Sequence, residues 1–175
     1  MAEERIRYTI VLLTVGHSIS GELLFRGQRL SDFLNDRRET AVSLLDACVA
    51  RLDEPGKVLQ KHPAAVVPKS WVVLAFEPPQ TAIPPANRFY GYVKKDAHEV
   101  FLVMEGMEVR GTLHTPGDLD LRRVLVLPEH SFLPITKAVV TLESNHKYVI
   151  EQDAIMVNSA RIKYIGKTGP RIPSP

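Results

Sequence analysis

An internal repeat with a spacing of 90 residues restricts the fold of this chain more than any other feature of its sequence. The alignment places Ile19–Leu23 beside Val109–Leu113, and a turn glycine precedes each segment, at Gly16 and at Gly106. The glycines inside the two segments give the same offset as the turn glycines (111 − 21 and 106 − 16). A repeat of this kind predicts two similar structural units in one chain.

The offset stays nearly constant along the rest of the repeat. Leu30 aligns with Leu121 at an offset of 91, and Ala65–Ser70 aligns with Ala154–Ser159 at an offset of 89. The alternative is that ordinary strand patterns with turn glycines can be aligned by chance. The common order of the matches favours a tandem duplication.

A run of prolines separates the two copies. Residues 77–85 contain four prolines, which block regular strand pairing and favour an extended connector. The predicted organisation is therefore a first repeat over residues 1–77, a Pro-rich linker over 78–95 and a second repeat over 96–167. A flexible tail over 168–175 is predicted to follow.

Most local signals in each copy are those of β-strands. The first copy has a predicted hairpin around Gly16, a long strand over Ala41–Leu52, and a last apolar run over Val66–Phe76 that a polar pair divides into two short strands. The second copy repeats this order. The apolar positions of the long strands do not keep one period, which predicts a bulge near Asp46 and near Lys137.

A short helix is predicted after the second strand of each copy. In Arg29–Asp36 the apolar residues fall on one helical face, and Ser31 is the expected N-cap. The corresponding part of the second copy, from Leu119 to Leu125, has the same spacing. Residues Arg122–Leu127 are equally compatible with a strand.

The predicted fold class is mainly β, with two tandem small five-stranded bent antiparallel barrels, each with a short helix. The chain has 175 residues, of which 45% are hydrophobic, which is enough apolar material for one or two packed cores. A unit of about seventy residues nevertheless has only a thin core. We therefore expect the units to share an interface or to bury surface against other chains.

Two segments of the second copy, Glu105–Leu113 and Ile155–Ile165, resemble the signature segments of the Sm-like family of small barrels. The resemblance implies this Sm-like or SH3-like fold, the formation of rings through paired edge strands, and binding to RNA. In the family, an Asp and an Asn follow the second strand, where this chain has His114–Asp118. The Arg-Gly pair of the second motif is replaced by Asn158 and Ser159.

The favoured function is that of a non-enzymatic scaffold or adaptor, which binds protein partners or forms a homo-oligomer through the edge strands of its barrels. The alternative is an Sm-like RNA-binding module, with RNA or partner contacts predicted at Lys69, Asn158, Arg161 and Lys163. An enzyme on a barrel scaffold is a third class, because catalytic residues often lie in loops.

Signals for other chemistry are weak in this sequence. The net charge of +2 predicts no strong unspecific binding to nucleic acid, and the six histidines lack metal-ligand spacing, so no metal and no cofactor is predicted. The one cysteine, Cys48, reads as a small apolar residue. Residues 1–5 carry no apolar signal sequence and no apolar run has membrane length, so we expect a cytoplasmic protein.

Overall fold

The fold is mainly β. A computed structural model of the chain describes residues 6–25, 29–54, 56–79, 95–126 and 131–169. In these ranges one ten-stranded antiparallel sheet is accompanied by two short α-helices. None of the helices in the described ranges is long and apolar enough to cross a membrane.

The described part of the first half contains five strands and one α-helix. They are β1 (Ile6–Leu13), β2 (His17–Phe25), α1 (Leu30–Asn35), β3 (Ala41–Arg51), β4 (Val58–Pro68) and β5 (Leu74–Phe76), with a 3₁₀ turn at Lys69–Trp71 between the last two strands.

The second half contains the same elements in the same order. They are β6 (Asp96–Met104), β7 (Met107–Thr115), α2 (Leu121–Val126), β8 (Phe132–Leu142), β9 (Val149–Asn158) and β10 (Ile162–Lys167), with a 3₁₀ turn at Ser159–Arg161 between β9 and β10.

The strands follow one another in the sheet in the order β10-β6-β7-β8-β9-β5-β1-β2-β3-β4. The two halves are joined where β5 pairs with β9. The predicted mainly β fold is confirmed. The ten strands form one continuous sheet that is not closed, and within the described residues β10 and β4 are its end strands. The two tandem five-stranded barrels stay a prediction.

The long strands β3 and β8 are bent at equivalent positions. Asp46 and Lys137 have positive φ angles of 48° and 49°. The pairing register also shifts between β2 and β3 and between β7 and β8. The predicted bulges are therefore confirmed, since an extra residue in one strand shifts the register and bends the sheet.

The last two strands of each half correspond at an offset of 90, and the sequence alignment at 89 was wrong by one residue. Leu44 of β3 pairs with Ala65, and its equivalent Ile135 of β8 pairs with Ile155. A shift of one residue exchanges the two faces of a strand, so the counterpart of Val66 on β4 is Met156 on β9.

Both helices form, and the helical reading of the second copy is the correct one. Ser31 is not the N-cap of α1, because the residue before the helix is Arg29 and Ser31 lies within its first turn. The linker prediction falls mainly on residues 80–94, and the tail prediction partly on 170–175. Both of these ranges lie outside the described residues.

Gly21 and Gly111 have the same role in the two halves. A Cβ atom on Gly111 would lie 2.5 Å from Cγ2 of Ile135 and 2.8 Å from the carbonyl oxygen of Thr136. A Cβ atom on Gly21 would lie 3.0 Å from the equivalent carbonyl, that of Leu45. The bent strand therefore crosses directly over each glycine, which leaves no room for a side chain.

Two hydrophobic cores lie along the sheet, and each one contains residues from both halves. The first core is built from β1 to β5 and α1 and also contains Phe132 and Met156 from the second half. The second core is built from β6 to β10 and also contains Leu13, Leu74 and Phe76 from the first half. The two halves therefore exchange apolar side chains across the β5–β9 contact.

Replacing Gly111 with Ala will destabilise the protein by about 1–3 kcal/mol, because the added methyl group overlaps Ile135 and the backbone of Thr136. Urea unfolding monitored by circular dichroism measures the loss. Gly16→Ala is the matched control, since nothing lies within 4 Å of its Cβ position. Equal stability of the two variants would contradict the close crossing.

Candidate assembly interface

The junction between the two halves begins with a short antiparallel strand pair. Leu74 lies opposite Val157, and Ala75 lies opposite Met156. The backbone N–H of Asn158 donates to the carbonyl of Val73 over 3.0 Å and extends the pair by one bond. The contact is only a few residues long, so side chains must contribute much of its stability.

Asn158 ties the end of β9 to the 3₁₀ turn of the first half. Its side chain is buried, and Nδ2 donates to the carbonyls of Val72 at 2.8 Å and Lys69 at 3.3 Å. Its Oδ1 accepts the backbone N–H of Ala160 at 3.1 Å. Buried amide groups are stabilising when donors and acceptor are all satisfied in this way.

Arg161 makes a second polar contact across the junction. Its Nε donates to the carbonyl of Ser70 at 2.8 Å, and its Nη1 lies 2.9 Å from Oε2 of Glu105. The guanidinium carbon also lies 5.4 Å from the ring centroid of Trp71, within the range of a cation–π interaction. The guanidinium is therefore engaged on both its edge and its face.

Asn35 at the end of α1 holds the start of β8. Its Oδ1 accepts the backbone N–H of Phe132 at 2.8 Å, and its Nδ2 donates to the carbonyl of the same residue at 3.1 Å. These two hydrogen bonds to one residue have the same pattern as the pairing with a neighbouring strand. It fixes the helix of the first half against a strand of the second.

Lys69 closes the end of α1 from inside the fold. It is 8% exposed, and its Nζ donates to the carbonyls of Phe33 at 2.7 Å and Asp36 at 3.0 Å. A cation at this end of a helix satisfies its last carbonyl groups. Burial lowers the pKa of the Lys69 ammonium, and the charges of Asp36 and Glu39 partly oppose this shift.

Three of the four predicted contact residues lie around this junction, but they are occupied within the chain. Lys69, Asn158 and Arg161 all make the hydrogen bonds described above, whereas Lys163 is exposed on β10. Sequence reasoning missed Asn35 and Trp71. The only signal for Asn35 was its place at the end of a predicted helix.

The two end strands of the sheet expose apolar residues whose counterparts are buried at the junction. By the offset of 90, Val66 on β4 corresponds to Met156 on β9, and Tyr164 on β10 corresponds to Leu74 on β5. Val66 is 66% exposed and Met156 only 7%, while Tyr164 is 55% exposed and Leu74 is fully buried. Pairing with a neighbouring strand accounts for the difference.

The two helices show the same contrast. In α1, Leu30 and Leu34 are buried against the first core, which contains Phe132 and Met156. In α2 no residue is buried, and Val126, the counterpart of Asn35, is 62% exposed. The α2 side of the sheet therefore has the apolar surface of a junction, and no strand of the described ranges covers it.

Other kinds of site find little support within the described ranges. No group of three or more His, Cys, Asp or Glu residues in these ranges is placed to hold a metal ion. A comparison of the chain with protein-family models, with curated proteins and with solved structures gives no match.

Replacing Asn158 with Ala will lower the free energy of unfolding by about 1–3 kcal/mol, because the buried carbonyl of Val72 loses its donor. Urea unfolding measures the change. Asn145→Ala is the control, since that side chain caps an exposed turn by accepting the N–H of Lys147. A loss at Asn158 no larger than that at Asn145 would show that the Asn158 contact is unimportant.

Proposed function

We propose that the protein is a non-enzymatic scaffold that assembles with copies of itself by pairing β10 of one molecule with β4 of the next. In this proposal the chain is a tandem pair of Sm-like five-stranded barrels, and the β5–β9 junction is an internal copy of the contact between molecules. The single observation that carries the proposal is the exposure of Val66 and Tyr164, whose counterparts are buried at the junction.

The internal junction also supplies the register of the proposed contact. At the junction Leu74 lies opposite Val157, so we expect Tyr164 to lie opposite Val67 of the second molecule. In the same way, Ala75 lies opposite Met156, so we expect Ile165 to lie opposite Val66. Exposed edge strands with unpaired N–H and C=O groups are the usual sites of strand addition.

The proposed contact joins two different surfaces, so it is head-to-tail. A heterologous contact of this kind leaves one β4 edge and one β10 edge free in every open assembly. It therefore continues until it closes into a ring, or it extends as a filament. Either product is a scaffold with repeated, identical surfaces for other proteins.

The contact between molecules should be weaker than the internal junction. The counterpart of Asn158 on β4 is Pro68, which has no N–H to donate and no side-chain amide. The counterpart of Arg161 is Trp71, which lacks the guanidinium that donates to the carbonyl of Ser70 across the junction. We therefore expect a reversible assembly that depends on protein concentration.

Replacing Val66 with Asp will raise the dissociation constant of the assembly at least about thirtyfold, because the paired state would bury an unpartnered charge. Analytical ultracentrifugation over a concentration series measures the constant. Val149→Asp is the matched control. That valine is 45% exposed on β9 and lies outside the β5 contact, so assembly should be unchanged.

Two results would contradict the proposed function. One is a wild-type protein that remains monomeric at every concentration, and the other is equal assembly of the Val66→Asp variant. Dependence on salt separates the RNA alternative, because an assembly bridged by RNA weakens steeply as salt rises and is lost after ribonuclease treatment. Direct apolar pairing of strands persists under both conditions.

A further inference from the structure

A groove lies beside the open edge of the first half. It has a volume of about 400 Å³ and is bounded by Phe33 from α1, Leu23 from β2, Leu44 from β3, and Ala65 and Val66 from β4. Its walls are mainly apolar, and it opens next to the strand edge that the proposed function assigns to a second molecule.

The groove exists because the first half carries smaller side chains than the second at the same positions. The four replacements, at positions that line the groove, are Ala41 for Phe132, Ser43 for Pro134, Ala65 for Ile155 and Val66 for Met156. In the second half, Ile155 fills the place of Ala65 within the second core, whereas Phe132 and Met156 lie on the other face of their strands and belong to the first core. The open groove therefore has room for a larger residue from outside.

The internal junction identifies which residues enter this position. Leu74 and Phe76 of β5 belong to the second core together with Ile155, the counterpart of Ala65. On β10 the counterparts of Leu74 and Phe76 are Tyr164 and Gly166. The side chain that enters the groove must therefore come from this pair, and Gly166 has none.

Tyr164 is large enough, and suitably placed, to fill the spaces that correspond to both Leu74 and Phe76. Its ring lies along Gly166, with Oη 2.6 Å from the place where a Cβ atom of that glycine would be. The ring thus occupies the space that corresponds to the Phe76 side chain. Its centroid is 6.5 Å from that of Phe101, which orients the ring at the open edge.

We propose that Tyr164 of one molecule is the anchor residue that fills the groove beside β4 of a second molecule. This inference rests on the proposed function, because it requires β10 and β4 to pair. The apolar part of the ring packs against Ala65 and Leu44 of the second molecule. Glu39 and Ser43 also line the groove and offer acceptors for the hydroxyl group.

Replacing Tyr164 with Ala will raise the dissociation constant of the assembly at least about tenfold, as expected for a buried aromatic anchor. Tyr164→Phe will keep it within about threefold of the wild type, because phenylalanine keeps the ring that fills the groove and loses only the hydroxyl group. Both variants change an exposed side chain, so the monomer will keep its fold by circular dichroism.

A double-mutant cycle tests the contact itself. Ala65→Ile fills the groove with isoleucine, which is the residue that the second half has at the equivalent position. In a protein that keeps Tyr164, this change should weaken the assembly at least about tenfold. The double variant Ala65→Ile with Tyr164→Leu recreates the internal Leu74–Ile155 pair and should restore assembly to within about threefold of the wild type.

The outcomes separate this inference from the proposed function. If the wild type assembles and Val66→Asp disrupts it while Tyr164→Ala has no effect, strand pairing is correct and the anchor is wrong. Additive effects of the two changes at positions 65 and 164 would also overturn the anchor. A wild type that never assembles would overturn both proposals.

Discussion

The pairing of β5 with β9 is the interaction on which the rest of the structure depends. It joins the strands of the two halves into one sheet, and it places Leu74 and Phe76 in the core of the second half. In return, Met156 and Phe132 enter the core of the first half. Neither core is complete without side chains from the other half, so the halves stabilise each other.

The same pairing gives the strands in the middle of the sheet a different environment from the two end strands. Every strand of the first half has a counterpart, but among the residues that the structure describes none pairs with the outer side of β4, while β9 has β5. The differences in sequence follow this environment: Asn158 at the buried position is replaced by Pro68 at the open one. Proline on an outer strand limits uncontrolled pairing, which suits a contact that forms between specific surfaces.

The sequence was informative about local structure and less so about contacts between distant segments. The bulges at Asp46 and Lys137 were predictable because the apolar period breaks there, and the hairpin glycines marked the turns. The first part of β4 was missed because Lys61, His62 and Pro63 show no alternation of apolar and polar residues, as is common in an edge strand.

The sequence indicated where some residues of the candidate site lie along the chain, but not which contacts they make. A polar pair such as Lys69 and Ser70 between two apolar runs reads as an exposed turn, and only the fold brings α1 over Lys69 and buries its ammonium. The β5–β9 pairing could not be read from the sequence, because a three-residue strand gives no signal for a partner about eighty residues away.

Amide hydrogen exchange of the wild-type protein, compared between dilute and concentrated samples, tests the central claim most directly. If β10 pairs with β4 of another molecule, amides of both end strands become protected at high concentration, including that of Val66, while those of β9 do not change. Exchange that is the same at both concentrations, or protection confined to other strands, would contradict the claim.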